Sequence, residues 1–430
     1  MLDRTQIVEQ NFLKVVESYQ PVTRIVQTDT DMLKMLFLMQ VQSRLLDYQS
    51  RVLKAQNESF YTIGSAGHEA NAVFGALLKK EDPCLLHYRS GAFMMARACV
   101  HDYPHMIEDT LLSFCASKLD PTSGGRHKVW GSKTLWVPPQ TSTIASHLPK
   151  AVGMSFGIRR AHHMQVPTDT DKDSIVFVSF GDASCNHATA QTAFNAASWS
   201  AYQKLPTPIF FLCEDNGLGI SVRTPKGWVE HMMKARGEIK YFSADSAELD
   251  QVVVQAKEAI EYCRAKRKPV FFHLSTIRLF GHAGSDVETG YRTLEEIESM
   301  EGFDPIIATA KLLMDAGIMD KNEIRLMYES EKKSIEEKSK KAVLTPKLQT
   351  AQEVMEYLTL PSPKSVTLQQ DEEKRKVVFT KAIGHVPEQS PKPRHMAMLL
   401  NWALYDLMIK DPSAVLFGED VAKKGGVYHV

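Results

Sequence analysis

Two polar residues sit where they could do chemistry, each at the end of an apolar run. Asp182 follows "DSIVFVSFG" and Asn216 follows "PIFFLCED". Alone, a Gly-Asp pair at a strand end is more often a cap for the next helix than a ligand. The matching of two strand ends changes that reading. If the runs are neighbouring parallel strands, their carboxyl ends bound the crevice in which open α/β sheets bind ligands. Asp182 and Asn216 then face each other across a few ångströms. A carboxylate, an amide oxygen and a nearby backbone carbonyl are hard oxygen donors, suited to Mg²⁺ shared with the phosphates of a ligand. Gly181, Gly217 and Gly219 let the backbone approach a bulky anion closely.

The elements that must position these groups are legible nearby. Residues 174–180, 208–215 and 268–277 are near-continuous apolar runs without polar alternation, as strands of a parallel sheet covered on both faces require. Residues 187–203, "HATAQTAFNAASWSAYQ", read as the helix crossing between the first two strands. Upstream, apolar residues recur at helical spacing over residues 5–57, and no glycine occurs before Gly64. Downstream, "FDPIIATAKLLMDAG" has Asp304 as N-cap, Pro305 at the first helical position and Gly317 at the end. A charged helix, residues 321–342, follows it. The predicted fold class is therefore α/β, a parallel sheet with helices on both faces, preceded by helices.

Further motifs occur in a fixed order: "SAGHEA" (65–70), "LLHYRSG" (85–91), "TSTIASHLPKAVG" (141–153), the stretch from Gly181-Asp182 to "EDNGLGIS" (214–221), and "TIRLFGHAGSD" (276–286) with "GYR" (290–292). Together they resemble the α subunit of the thiamine diphosphate-dependent, decarboxylating dehydrogenase component of 2-oxo acid dehydrogenase complexes. That resemblance covers about residues 30–340. The tail "FGEDVAKKGGVYHV" resembles the start of the β subunit of the same family. The implied organisation is an α-type cofactor domain over residues 1–358, a polar, proline-rich linker over 359–394 and the opening of a β-type part over 395–430. In that last part a helix and a strand "AVLF" (414–417) are expected.

Carried over position by position, the resemblance implies that Asp182, Asn216 and the carbonyl of Leu218 hold Mg²⁺ on the diphosphate of thiamine diphosphate. Tyr88 and Arg89 match the pair on the phosphates, for which a guanidinium is physically suited. Ser142, Thr143 and Ile144 match the segment lining the aminopyrimidine. Gly181, Ala183, Ser184, Gly219 and Ile220 flank the two halves of the motif and are expected along the cofactor. Arg278 and His282 match groups that reach the diphosphate and the reacting centre, and they are the catalytic candidates. Without that context Arg89 reads equally well as a surface arginine, and His282 in a glycine loop as a solvated histidine. His68 is read as a packing or turn residue, and His162-His163 as a solvated helix end.

Three positions depart from the family pattern. Ala183 stands where a second glycine is usual, the interval to Asn216 is a few residues longer, and His147 replaces a common glutamine near the K⁺ site that the resemblance implies. The implied reaction is oxidative decarboxylation of a 2-oxo acid with acyl transfer to a lipoyl group of an acyltransferase component. A branched-chain substrate such as 2-oxoisovalerate is favoured, with pyruvate or acetoin as alternatives. A scaffold or regulatory α-like subunit is the reading from another class, and retention of Asp182, Asn216, Arg89, Arg278 and His282 together speaks against it. The family's aminopyrimidine glutamate and second catalytic histidine are expected in the β part beyond residue 430, so this chain alone is expected to bind cofactor weakly.

Composition narrows the partners. Lys+Arg and Asp+Glu are balanced at 51 each, so no overall field favours nucleic acid or a membrane surface. The six cysteines lack the CxxC spacing of a zinc ribbon or a disulfide framework. The apolar segment 32–46 carries Lys34 and Arg44 and is shorter than the roughly 20 residues a bilayer span needs. A cytoplasmic protein that self-associates through α- and β-type parts and docks to a lipoyl domain is the expectation.

Overall fold

A computed structural model describes residues 4–59, 63–358, 370–390, 392–421 and 423–426. The chain divides into two compact units. The first comprises residues 1–158 and 169–354, the second residues 159–168 and 355–430.

The first unit opens with α1 (Arg4–Ser18) and α2 (Thr30–Ala55), the latter capped by Asp29, whose side chain accepts from the Met32 amide at 3.0 Å. Short α3 (Ala72–Leu77) and strand β1 (Cys84–Leu85) lead into α4 (Gly91–Val100) and α5 (Met106–Phe114). After α6 (His147–His163) come β2 (Val176–Gly181), α7 (Ala188–Tyr202) and β3 (Ile209–Asp215). Then follow α8 (Trp228–Lys234), β4 (Lys240–Asp245), α9 (Leu249–Lys266) and β5 (Val270–Ser275). Helices α10 (Leu294–Glu301), α11 (Pro305–Asp315), α12 (Lys321–Val343) and short α13 (Ala351–Met355) complete it. Asp304 caps α11 and Gly317, at φ +66°, lies just beyond its end.

The sheet is all parallel, in the order β1-β2-β3-β5-β4. Successive strand side chains alternate between its faces, and both faces are apolar. Phe177, Phe210, Leu212, Phe272 and Leu274 join the core built with α2, α3, α4 and α9. Val176, Val178, Phe180, Phe211 and Phe271 join the core built with α6 and α7. Phe74 sits 5.0 Å from Phe272 on one side, and Phe194 5.1 Å from Phe211 on the other. This two-sided burial explains why the strands read as continuous apolar runs. Strand β4 escaped that reading because it lies at the sheet edge, with Lys240, Ser243 and Asp245 exposed.

The second unit departs from expectation in two places. Residues 372–383, within the expected linker, form helix α14 (Glu372–Ile383), capped by Asp371 and ended by Gly384 at φ +82°. Its Phe379 is fully buried against Trp402 and Ile409 of α15 (Met396–Lys410). Arg375 holds Glu388 at 2.6 Å and Asp406 at 2.6 Å. The expected strand at 414–417 is not formed, since no described residue pairs with it and Val415 and Phe417 are exposed. A strand needs a ladder partner, and one apolar run cannot supply its own. Residues 359–369 and 391 of the expected linker and 422 and 427–430 of the expected β-type part lie outside the described residues.

Candidate active site

The β2–β3 pairing places Gly181 opposite Glu214, so the two motif halves leave the sheet side by side. Beyond β2 the chain enters a tight turn over Asp182–Asn186, whose Asp182 is 1% exposed. Beyond β3, residues 217–224 fold back on themselves. The Gly219 amide donates to the Val222 carbonyl at 2.7 Å, and the Thr224 amide to the Gly217 carbonyl at 3.0 Å. This return brings the Thr224 hydroxyl into hydrogen-bond contact with the Asp182 carboxylate. The Asn216 backbone N–H also donates to Asp182. Asp182 and Asn216 thus meet, as the sequence spacing predicted. A Cβ on Gly219 would lie 3.3 Å from the Ala183 methyl. With alanine at position 183, glycine at 219 keeps the two loops in contact.

A cavity of about 450 Å³ opens over these loops. Tyr88, Arg89, Ser142, Ile144, Gly181, Asp182, Ala183, Ser184, Asn216, Leu218, Gly219, Ile220, Arg278 and His282 all line it. Thr143 does not, and neither does Gly217. The Thr143 carbonyl instead accepts from the Ser146 hydroxyl at 3.0 Å. A larger cavity, about 740 Å³ beside Trp136, Pro138 and Pro139, is lined by none of these candidates.

Two positive side chains reach the cavity from different elements. Arg89 donates to the Gly64 carbonyl at 2.6 Å and to the His282 carbonyl at 3.0 Å. Arg278 clamps the return loop through the carbonyls of Gly219 and Ile220, both at 2.9 Å, and meets the Tyr291 hydroxyl at 2.6 Å. Its Nε is buried with no hydrogen-bond partner among the described residues, and its Nη2 lies 3.7 Å from Glu288. The His282 ring stands edge-on to Tyr88 at 5.8 Å. Burial, then Arg89 and Arg278, lower the His282 pKa to about 4. At neutral pH that imidazole is uncharged.

The charges fit a metal bridging an anion. Burial, with Asp215 adding to it, pushes Asp182 up to about 6, as happens to a buried carboxylate with no cation beside it. Meanwhile Arg89 and Arg278 lower one neighbour, His282, and burial lowers Arg89 itself. Asp182, with no cation against it among the described residues, shares one cavity with Arg89, which donates to backbone carbonyls, and with Arg278, which also lies 3.7 Å from Glu288. Mg²⁺ and a diphosphate would complement this lining, with Asp182 and Asn216 as side-chain donors and Leu218 beside them.

The raised Asp182 value gives a signed pH prediction. The folded carboxyl binds its proton more tightly than the unfolded one, so metal-free stability falls as pH rises from about 4 to 6 and stays lower above. The isosteric Asp182→Asn removes that cost. Its metal-free form should unfold at higher urea than the parent near pH 8, by on the order of 2–3 kcal/mol, and the gap should close towards pH 4 or below. A parent that is the more stable at alkaline pH would contradict this.

The turn carrying "SAGHEA" contains what sequence reasoning missed. His68, read as a packing or turn residue, is fully buried, and its Nδ1 lies 2.8 Å from Glu214 at the end of β3. Its Nε2 lies 3.0 Å from the Asn216 side-chain nitrogen. Gly67 beside it has φ +97°, and a Cβ there would lie 2.3 Å from the Ile277 carbonyl. His87 and Lys128 also line the cavity, with burial lowering the Lys128 amine to about 8. Glu214 carried a readable signal, a carboxylate inside the apolar run "FFLCED". Thr224 carried none, because only the return of the loop brings it to Asp182. His147, at the position bearing on K⁺, faces the Ser179 carbonyl at 2.8 Å. Among the described residues no helix is long and apolar enough to cross a membrane.

The ends of adjacent parallel strands thus bring Asp182 and Asn216 into one cavity with the guanidinium groups of Arg89 and Arg278. The chain belongs to the dehydrogenase E1 component family, whose pattern it matches over residues 38–351. It is 27% identical over 303 residues to the mouse mitochondrial 2-oxoisovalerate dehydrogenase subunit alpha, covering 68% of this chain and 64% of that protein. Against the human protein of the same name it is 23% identical over 365 residues, covering 80% and 77%. The Dictyostelium discoideum mitochondrial pyruvate dehydrogenase E1 component subunit alpha is 28% identical over 272 residues, covering 63% and 66%. The chain thus spans just under two thirds of the mouse and Dictyostelium proteins.

Proposed function

We propose that this chain is the α-type part of an E1 component that decarboxylates a 2-oxo acid with thiamine diphosphate and Mg²⁺ and passes the acyl group to a lipoyl group of an acyltransferase. The observation that carries the reading is the convergence of Asp182, Asn216, Arg89, Arg278 and His282 on one cavity. Thiamine diphosphate would supply the nucleophilic carbon and the electron sink for loss of CO₂. The chain's own groups bind and orient. Asp182, Asn216 and Leu218 hold the metal, while Arg89 and the Arg278 Nε neutralise phosphate charge. The uncharged His282 stands ready to take a proton or hydrogen-bond a substrate carboxylate. An anion beside Arg89 and Arg278 would raise its pKa back towards the ordinary range.

A branched-chain substrate is favoured, supported by relatives named for 2-oxoisovalerate. Pyruvate is the second reading, supported by the Dictyostelium relative at similar identity. The likeness of the tail to a β subunit supports a chain in which α- and β-type parts are joined and self-associate. A panel of 2-oxo acids and acetoin with an artificial electron acceptor, assayed with the α-type part together with its complete β-type part, tests this. Turnover should require both thiamine diphosphate and Mg²⁺ and be fastest with 2-oxoisovalerate. Turnover that persists without the cofactor contradicts the reading, and a preference for pyruvate or acetoin contradicts the substrate assignment.

A further inference from the structure

We propose that His68, backed by Glu214, is a positioning residue that decides which end of the Asn216 amide faces the metal. The inference rests on the metal reading above and deepens it. Glu214 Oε2 accepts from the Asn71 side-chain amide at 3.0 Å and lies 2.8 Å from His68 Nδ1. Asn71 is itself fixed, since its oxygen accepts from the Phe93 amide at 2.8 Å. A carboxylate only accepts, so the single proton of a neutral His68 belongs on Nδ1 and Nε2 presents a lone pair. That lone pair, 3.0 Å from Asn216 Nδ2, can face only an N–H.

The other end of the amide gives the same answer. Asn216 Oδ1 accepts from the Leu218 amide at 3.1 Å and keeps a second lone pair for a ligand. With His68 in place, a reversed Asn216 would set its oxygen against the Nε2 lone pair and its NH₂ against the Leu218 N–H. Without His68 one of those two constraints is gone, and the reversed amide would turn N–H donors towards the cation. The turn that carries His68 is itself tied down by Asp47, which accepts from the Ser65 and Ala66 amides at 2.5 and 2.6 Å.

One ligand-capable atom from each of His68, His87 and Glu214 also lies within 4.8 Å of the others. Both nitrogens of His68 already have partners, so a cation there would have to break the Glu214 or the Asn216 contact. The hydrogen-bonded chain is the arrangement the geometry favours.

Calorimetric titration of the full chain with Mg²⁺, in saturating thiamine diphosphate, tests the inference. His68→Leu should weaken Mg²⁺ binding about 10- to 100-fold, the usual cost of losing an outer partner of a metal ligand. His68→Gln, whose head offers both a donor and an acceptor, should recover most of the loss. In an Asn216→Asp background, where both ends of the side chain are oxygen, His68→Leu should change affinity little. If His68→Leu does not fold, Glu214→Gln makes the same comparison without a change of volume. Its amide can donate to Nδ1, freeing the opposite tautomer, so binding should weaken in the native background and be spared with Asn216→Asp. Equal losses in both backgrounds, or none in either, overturn the positioning role. Unchanged Mg²⁺ affinity in Asn216→Ala would instead overturn the metal reading on which it stands.

Discussion

Asp182→Ala is expected to lose Mg²⁺-dependent thiamine diphosphate binding, by more than the 10- to 100-fold that removal of an outer-shell partner costs. Asp182 is the one carboxylate contributed by the paired strand ends to the cavity lining. It is buried at 1% exposure, and its pKa is pushed up to about 6 chiefly by that burial. A cation beside it would relieve an existing electrostatic cost, so the metal gains more there than at an exposed carboxylate. Removing the side chain takes away both the charge and the oxygen donors. The Thr224 hydroxyl, which contacts Asp182, cannot replace a formal negative charge. Calorimetry of the variant with thiamine diphosphate and Mg²⁺ should therefore give little heat, while its metal-free fold stays intact. The same affinity as the parent would remove Asp182 from the metal site.

The largest stability loss is expected at Arg44, which does not line the cavity. This arginine of α2 is 1% exposed and reaches Glu69 at 2.7 Å and both oxygens of Asp304 at 2.7 and 2.9 Å. Glu69 in turn accepts from the Gly67 amide at 2.8 Å, and Asp304 caps α11. One guanidinium thereby joins α2, the turn bearing His68 and the start of α11. Burial pushes the Glu69 carboxyl up even with Arg44 beside it. Arg44→Ala would leave two carboxylates buried without their counter-charge, and breaking such a pair costs about 3–5 kcal/mol. Arg44→Lys recovers little, because an ammonium cannot bond Asp304 through two parallel N–H groups. Urea unfolding of both variants measures this. A loss for Arg44→Ala within about 0.5 kcal/mol, as at an ordinary surface site, would contradict it.

What the sequence disclosed and what it hid follow from physical range. Strands β2, β3 and β5 were legible because burial on both faces forces continuous apolar runs. Helices α2 and α11 were legible because caps and periodicity are local. Asp182 and Asn216 were legible because parallel pairing puts their strand ends together, whatever the details of packing. The Glu214–His68–Asn216 chain was hidden, since it joins a turn near residue 68 to a strand end almost 150 positions later, and nothing local marks a histidine as buried. Thr224 was hidden for a similar reason. Helix α14 was masked by its charged residues, although Asp371 before it and Gly384 after it carried the stop and start signals. The expected strand at 414–417 failed because strand formation is a property of pairs.

The central claim is that the cavity at the ends of β2 and β3 holds Mg²⁺-bound thiamine diphosphate. Calorimetric titration of the chain with thiamine diphosphate, repeated with EDTA and with thiamine lacking the diphosphate, tests it most directly. Binding that requires both Mg²⁺ and the diphosphate is the predicted result. Binding of equal strength in EDTA, or by thiamine alone, would contradict it.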